Sequence, residues 1–143
     1  MLDCGVGVRL LAHETTQQGV GRAPAKRVAV LLHGWEGSAQ SLYVLSLGQR
    51  LFDHGYDVLR LNLRDHGDTH HLNRELFHSC RLPEVVGAVR RLQADFASHR
   101  LALAGFSLGG NFVLRVAAAA PAAGLRIARA VAVSPVLDPA RTL

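Results

Sequence analysis

Gly105-Phe106-Ser107-Leu108-Gly109 sets a serine between two glycines at the spacing G-x-S-x-G. The run before it, Arg100 to Phe106 (RLALAGF), predicts a buried strand. The run after it, Leu108 to about Ala120, predicts a helix stopped by Pro121 and Gly124. A serine on so tight a strand-to-helix turn is held in strained backbone, with its hydroxyl above the sheet edge. Strand and helix nearly touch there, so side chains two residues either side of the serine would clash, which requires Gly105 and Gly109. The helix aims its free N–H groups and positive dipole end at the same point. The chemistry that fits is attack by Ser107 on a carbonyl, with the oxyanion held by donors already in place.

A second motif, His33-Gly34-Trp35-Glu36-Gly37-Ser38, ends the first strong strand, Arg27 to Leu32 (RVAVLL). In a parallel sheet all strand-to-helix loops share the carboxyl edge, so this loop lies beside Ser107. The Trp35 N–H and the Leu108 N–H are the expected oxyanion donors. His33 is expected to brace the loop rather than act as a base. His66, His70 and His71, with Asp68, lie in a polar loop on the same edge. Their spacing is that of a solvated loop, and no metal site is expected from them.

The acid and base are the difficulty. On a nucleophile elbow of this kind the chain order is Ser, then Asp or Glu, then His. Only 36 residues follow Ser107; they hold one acid, Asp138, and no histidine, His99 being the last of eight. Without a base the hydroxyl keeps an alcohol's pKa and is a poor nucleophile.

The elements that must position these residues alternate. A helix from Ala39 to His54 is expected, capped by Ser38 and ended by Gly55. A strand follows from Tyr56 to Leu63, then the His-rich loop to about Leu82. A helix beginning near Pro83 runs to about Ser98, with Val85, Val86, Val89, Leu92 and Phe96 on one face. After the Ser107 helix comes a fourth strand, Ile127 to Val133. Gly5 to His13 alternates weakly and offers an outer strand. Alternation of this kind means right-handed βαβ units in a doubly wound, mostly parallel α/β sheet, read as a single domain over 1–143.

HGWEGS, the segment RLNLRDHGDTHHLNRELFHS and GFSLGGN together resemble the YheT-type branch of the α/β-hydrolase superfamily, from about Arg27 to Asp138. Asn111 belongs to the last of these motifs, and His78-Ser79 is similar to a family His-Ser pair. The resemblance implies a serine ester hydrolase with a Ser-Asp-His triad and no cofactor. It carries over Ser107 as nucleophile and the backbone N–H groups of Trp35 and Leu108 as oxyanion donors. Arg64-Asp65-His66-Gly67 departs from the family's Arg-Gly-Cys-Ser-Gly type turn. The resemblance also implies a fold incomplete at its C-terminus, truncated after the strand that follows the nucleophile helix, with Asp and His supplied from elsewhere. Some hydrolases of this fold place their acid after that strand, where Asp138 stands. The alternative is a catalytically inactive remnant or interaction module, pairing through its exposed last strand.

Composition bounds the partners. The formal charge is +5, but 15 of the 16 basic residues are Arg in an Ala-rich chain, and only Arg90-Arg91 are adjacent. No clustered patch or recognised motif supports a nucleic-acid partner. No apolar run reaches the roughly 18 residues of a membrane helix. Met1 to Arg9 lacks the layout of a signal peptide, and nothing before Cys4 suggests a lipid anchor. Cys4 and Cys80 make no disulfide framework. A cytoplasmic protein acting on a small-molecule ester is expected, with an exposed sheet edge that offers a route to self-association.

Overall fold

The computed structural model describes residues 1–142. The chain begins with a tight antiparallel hairpin, β1 (Leu2–Asp3) and β2 (Arg9–Leu10). It continues as β3 (Ala12–Thr15), β4 (Arg27–Leu32), α1 (Leu42–Asp53), β5 (Asp57–Leu61), α2 (Leu82–Asp95), β6 (Arg100–Phe106), α3 (Leu108–Ala123), β7 (Ile127–Val133) and the short α4 (Pro139–Thr142). The sheet order is β3-β5-β4-β6-β7, with β3 antiparallel to β5 and the other pairs parallel.

β4 is the central strand, and every residue from Val28 to Leu32 is buried. Such a strand needs cover on both faces. On one face α2 and α3 bury Leu32, Leu61, Val89, Leu103 and Phe112 together. On the other, α1 lays Val44 and Phe52 against Ala29, Leu31 and Val58. Cover stops short at β7, where Ala128 to Val131 are exposed. Among the described residues no strand pairs with its outer edge.

Three elements depart from the sequence reading. α1 starts at Leu42, after Ser41, not at Ala39. The Ala39 N–H is drawn away to the buried Asn62 Oδ1 at 2.7 Å, and the Ser38 hydroxyl accepts from the Gln40 N–H in a local turn. Ser38 is therefore not the cap. α3 runs through Pro121 to Ala123 and ends at the left-handed Gly124. A proline near an exposed helix end removes a single donor, and the freed carbonyl can turn to water. The N-terminal segment is split: the outer strand is Ala12–Thr15, and Gly5, Val6 and Gly7, at positive φ, turn the hairpin away from the main sheet.

Candidate active site

Ser107 sits between β6 and α3 at φ 50°, ψ −114°, a conformation that side chains disfavour. Three contacts over-determine it. Its N–H donates to the Val133 carbonyl at 2.9 Å, and its carbonyl accepts from the N–H groups of Asn111 (3.0 Å) and Val136 (3.3 Å). Gly105 and Gly109 make the turn possible. A Cβ on Gly105 would meet the backbone of Gly109 and Gly110, the Gly110 N at 2.8 Å. A Cβ on Gly109 would meet the His33 and Leu32 carbonyls, the latter at 2.6 Å. The first turn of α3 thus lies directly on the end of β4. Strain of this sort costs about 1–3 kcal/mol. Ser107→Gly is accordingly expected to raise the unfolding free energy by about 1–2 kcal/mol in urea denaturation, net of glycine's added entropy in the unfolded chain.

The loop after β4 closes over this turn. The Gly34 N–H donates to the Tyr43 hydroxyl at 3.0 Å, and the Gly37 N–H to the Gly34 carbonyl at 3.1 Å. A Cβ on Gly34 would stand 3.4 Å from the Ser107 Cβ, so the two motifs touch. Among the described residues the N–H groups of Trp35 and Leu108 have no hydrogen-bond partner. The Trp35 side chain is exposed and packs edge-on to Phe77.

His33 is fully buried, with both ring nitrogens used. Nδ1 donates to the Gly34 carbonyl at 2.7 Å, and Nε2 accepts from the Leu63 N–H at 3.1 Å. Burial, together with the neighbouring His66, pushes its pKa down to about 4, against the pull of the Gly34 carbonyl. The folded state therefore binds this proton later than the unfolded chain does. The stabilisation is full above the unfolded value near 6.5 and is lost as pH falls toward 4. About 2 kcal/mol should go between pH 7 and pH 5, and a His33→Gln variant should lack that share of the pH slope in urea titrations.

The His-rich loop is pinned by charge. Arg64 and Glu84, both buried, form a fork: Arg64 Nη2 to Oε1 at 2.7 Å, and Nε to both carboxylate oxygens at 3.1 Å. Arg64 Nη1 also donates to the Glu75 carbonyl at 2.8 Å. His66 donates from Nδ1 to the Arg64 carbonyl at 2.6 Å, and its ring lies tilted against His33 and edge-on to Phe77. His70 and His71 are exposed in a short 3-10 turn. Among the described residues no side chain, these histidines included, hydrogen-bonds to the Ser107 hydroxyl. Asp138 is exposed, accepting from the Ala140 N–H and pairing with Arg141. No three His, Cys, Asp or Glu side chains converge as a metal set among the described residues.

Two residues tie the rim together that their types alone did not place. Asn111 Nδ2 donates to the Val136 carbonyl at 2.7 Å. Arg115 reaches the Ser79 carbonyl at 2.7 Å and Asn111 Oδ1 at 3.3 Å. The His78-Ser79 pair thus enters through a main-chain oxygen, which no side-chain pattern announces.

Residues 28–143 match the family model described as the alpha/beta hydrolase fold. The chain is 28% identical over 94 residues to a Haemophilus influenzae protein described by name as an esterase or lipase, an alignment covering 66% of this chain and 30% of that protein. An alpha-beta serine hydrolase homologue from Coxiella burnetii superposes with TM-score 0.76 at 19% identity, over 97% of this chain and 64% of that one. Est1E from Butyrivibrio proteoclasticus, solved with ferulic acid, superposes with TM-score 0.64 at 20% identity, over 88% and 48%. This chain therefore spans about a third of that relative's length and half to two-thirds of those structures. No helix among the described residues is long and apolar enough to cross a membrane. By the family model and the fold alike, this chain belongs to the alpha/beta hydrolases.

Proposed function

We propose that the chain is the nucleophile-bearing part of a carboxylic ester hydrolase that works through an acyl-enzyme at Ser107. The observation that carries this reading is the strained serine, beside two N–H groups without a partner among the described residues, Trp35 in the loop after β4 and Leu108 at the first position of α3. In the reaction Ser107 Oγ attacks the ester carbonyl, and the carbonyl oxygen takes up negative charge that the two donors stabilise. The tetrahedral species collapses with loss of the alcohol, and water then releases the acid. The base that would take the hydroxyl proton, and the acid that would orient it, come from outside residues 1–143. The resemblance to the YheT-type branch agrees with an ester substrate, and a small-molecule ester acted on in the cytoplasm is the simplest case.

The test is acylation of the purified chain by an activated p-nitrophenyl ester, with the modified residue located by mass spectrometry. Slow, stoichiometric acylation at Ser107 is expected, absent from Ser107→Ala. General-base assistance is worth about 10²–10⁴ in rate, so added imidazole should accelerate acylation of the parent chain. Modification spread over other nucleophiles, with Ser107 untouched in a folded chain, would reject the reading. That result would favour the alternative, a non-catalytic interaction module.

A further inference from the structure

Gly34 is the pivot of the loop that carries Trp35, and three groups grip it. Its N–H donates to the Tyr43 hydroxyl at 3.0 Å. Its carbonyl accepts from His33 Nδ1 at 2.7 Å and from the Gly37 N–H at 3.1 Å. The Gly34 carbonyl and the Trp35 N–H share one planar trans peptide, so they point in opposite directions. Holding the carbonyl therefore sets the direction of the Trp35 N–H. The Gly34 N–H belongs to the preceding peptide plane, which Tyr43 holds. The two planes meet at a residue without a Cβ, whose φ and ψ turn freely unless both sides are gripped.

Tyr43 reaches this point from the second position of α1, where its neighbour Val44 is fully buried and anchors the turn. Its ring lies edge-on to Phe106, 4.8 Å between centroids, and Phe106 ends β6 immediately before Ser107. The loop wraps the hydroxyl closely: a Cβ on Gly37 would stand 2.5 Å from it and 3.2 Å from Ser41 Oγ. Gly34 is buried, so its N–H is costly to leave without an acceptor. One side chain thus touches the residue before Trp35 and the residue before Ser107. We infer that Tyr43 is a positioning residue, whose hydroxyl holds the Gly34 amide and so keeps the Trp35 N–H aimed at the oxygen that takes up charge when Ser107 attacks. The role rests on the acyl-enzyme reaction proposed for Ser107. Tyr43 acts through the Gly34–Trp35 peptide and neither takes nor gives a proton. Misplacing a group by about 1 Å can cost about 10²-fold in rate, and losing an oxyanion donor outright about 10²–10³.

The test compares the purified chain with Tyr43→Phe, which removes the hydroxyl and keeps the ring against Phe106. Acylation of Ser107 by a p-nitrophenyl ester, with imidazole present, should be at least about tenfold slower in the variant. The matching thionoester puts a larger sulfur, a weaker acceptor, where the oxygen would sit. The parent should therefore prefer the ester over the thionoester more strongly than Tyr43→Phe does. Val44→Ala trims the buried neighbour and leaves the hydroxyl in place. It controls for lost stability alone and should keep the parent's preference. An unchanged rate or an unchanged preference in a Tyr43→Phe chain folded by circular dichroism overturns the inference, and so does Val44→Ala matching Tyr43→Phe. If the parent is not acylated at Ser107, the proposed reaction fails, and the grip on Gly34 is judged by heteronuclear NMR. The Gly34 and Trp35 amide resonances should then still move in Tyr43→Phe, with Gly34 losing hydrogen-exchange protection, and the positioning of that peptide stands without the reaction. Resonances that stay in place overturn it.

Discussion

Gly109→Ala is expected to remove most of the chain's folding free energy at 25 °C and to move its urea midpoint far below that of the parent. The added methyl would stand among the Leu32 and His33 carbonyls and the Leu32 carbonyl carbon, all backbone. None of these can rotate away as a side-chain tip could. Relief requires α3 to lift from the end of β4. That lift separates Phe112, Val113 and Val116, all fully buried, from the sheet. It also breaks the registration of the Ser107 turn with Val133 and Val136. Overpacking of an ordinary core costs about 1–3 kcal/mol. A backbone wedge between a central strand and its helix should cost more, on the order of 4–5 kcal/mol, a large part of a small domain's stability. Urea unfolding monitored at Trp35 gives the value. A midpoint within experimental error of the parent would mean that α3 already stands clear of β4, and the close approach of the two would be wrong.

Glu84→Gln is the second large effect, expected at about 3 kcal/mol. The Arg64 guanidinium is 5% exposed and finds most of its hydrogen bonds on the Glu84 carboxylate. The amide keeps the shape and removes the charge, leaving a cation in a dry site. Arg81, 3.3 Å from the same carboxylate, loses the weaker of its two carboxylate contacts and keeps Glu75 at 2.8 Å. The double variant Arg64→Met/Glu84→Leu should recover most of the loss, because replacing a buried pair by apolar side chains is often neutral. Hydrogen exchange should separate the two variants. The single variant should expose amides between Asp65 and Arg81, whose attachment to the body includes Arg64 Nη1 on the Glu75 carbonyl and Asp65 on the Phe77 N–H. Protection unchanged in the single variant would mean that the loop holds without the fork.

The sheet could be read from sequence because its signals are local. RVAVLL, RLALAGF and the glycines around Ser107 each carry their meaning within a few residues. The elbow was legible for the same reason: a tight turn constrains its own neighbours. What escaped was set by partners distant in sequence. Ala39 stays out of α1 because Asn62, 23 residues on, takes its N–H. His33 is locked by Leu63, 30 residues on. Asn111 and Arg115 act on main-chain carbonyls of Val136 and Ser79, and a carbonyl looks alike in every residue. The burial of Arg64 was not legible in its turn because its carboxylate lies 20 residues away, on α2. The N-terminal hairpin turned away from the sheet because Val6 adopts positive φ between two glycines, which its residue type disfavours.

The bonds from Asn111 and Arg115 have a consequence for how this rim can diverge. They join the turn at Ser107, the loop after β7 and the segment at Ser79 into one mechanical unit, through two side chains one helical turn apart. Loops usually vary independently, each free to lengthen or drift without asking its neighbours. Here a change in one must be matched in the other two or the linkage breaks. Variation in what the rim accepts is therefore steered toward the loop after β4, where Trp35 stands exposed and its main-chain N–H is unclaimed. Substitutions at Trp35 and Glu36 can reshape the opening while the floor beneath Ser107 stays fixed.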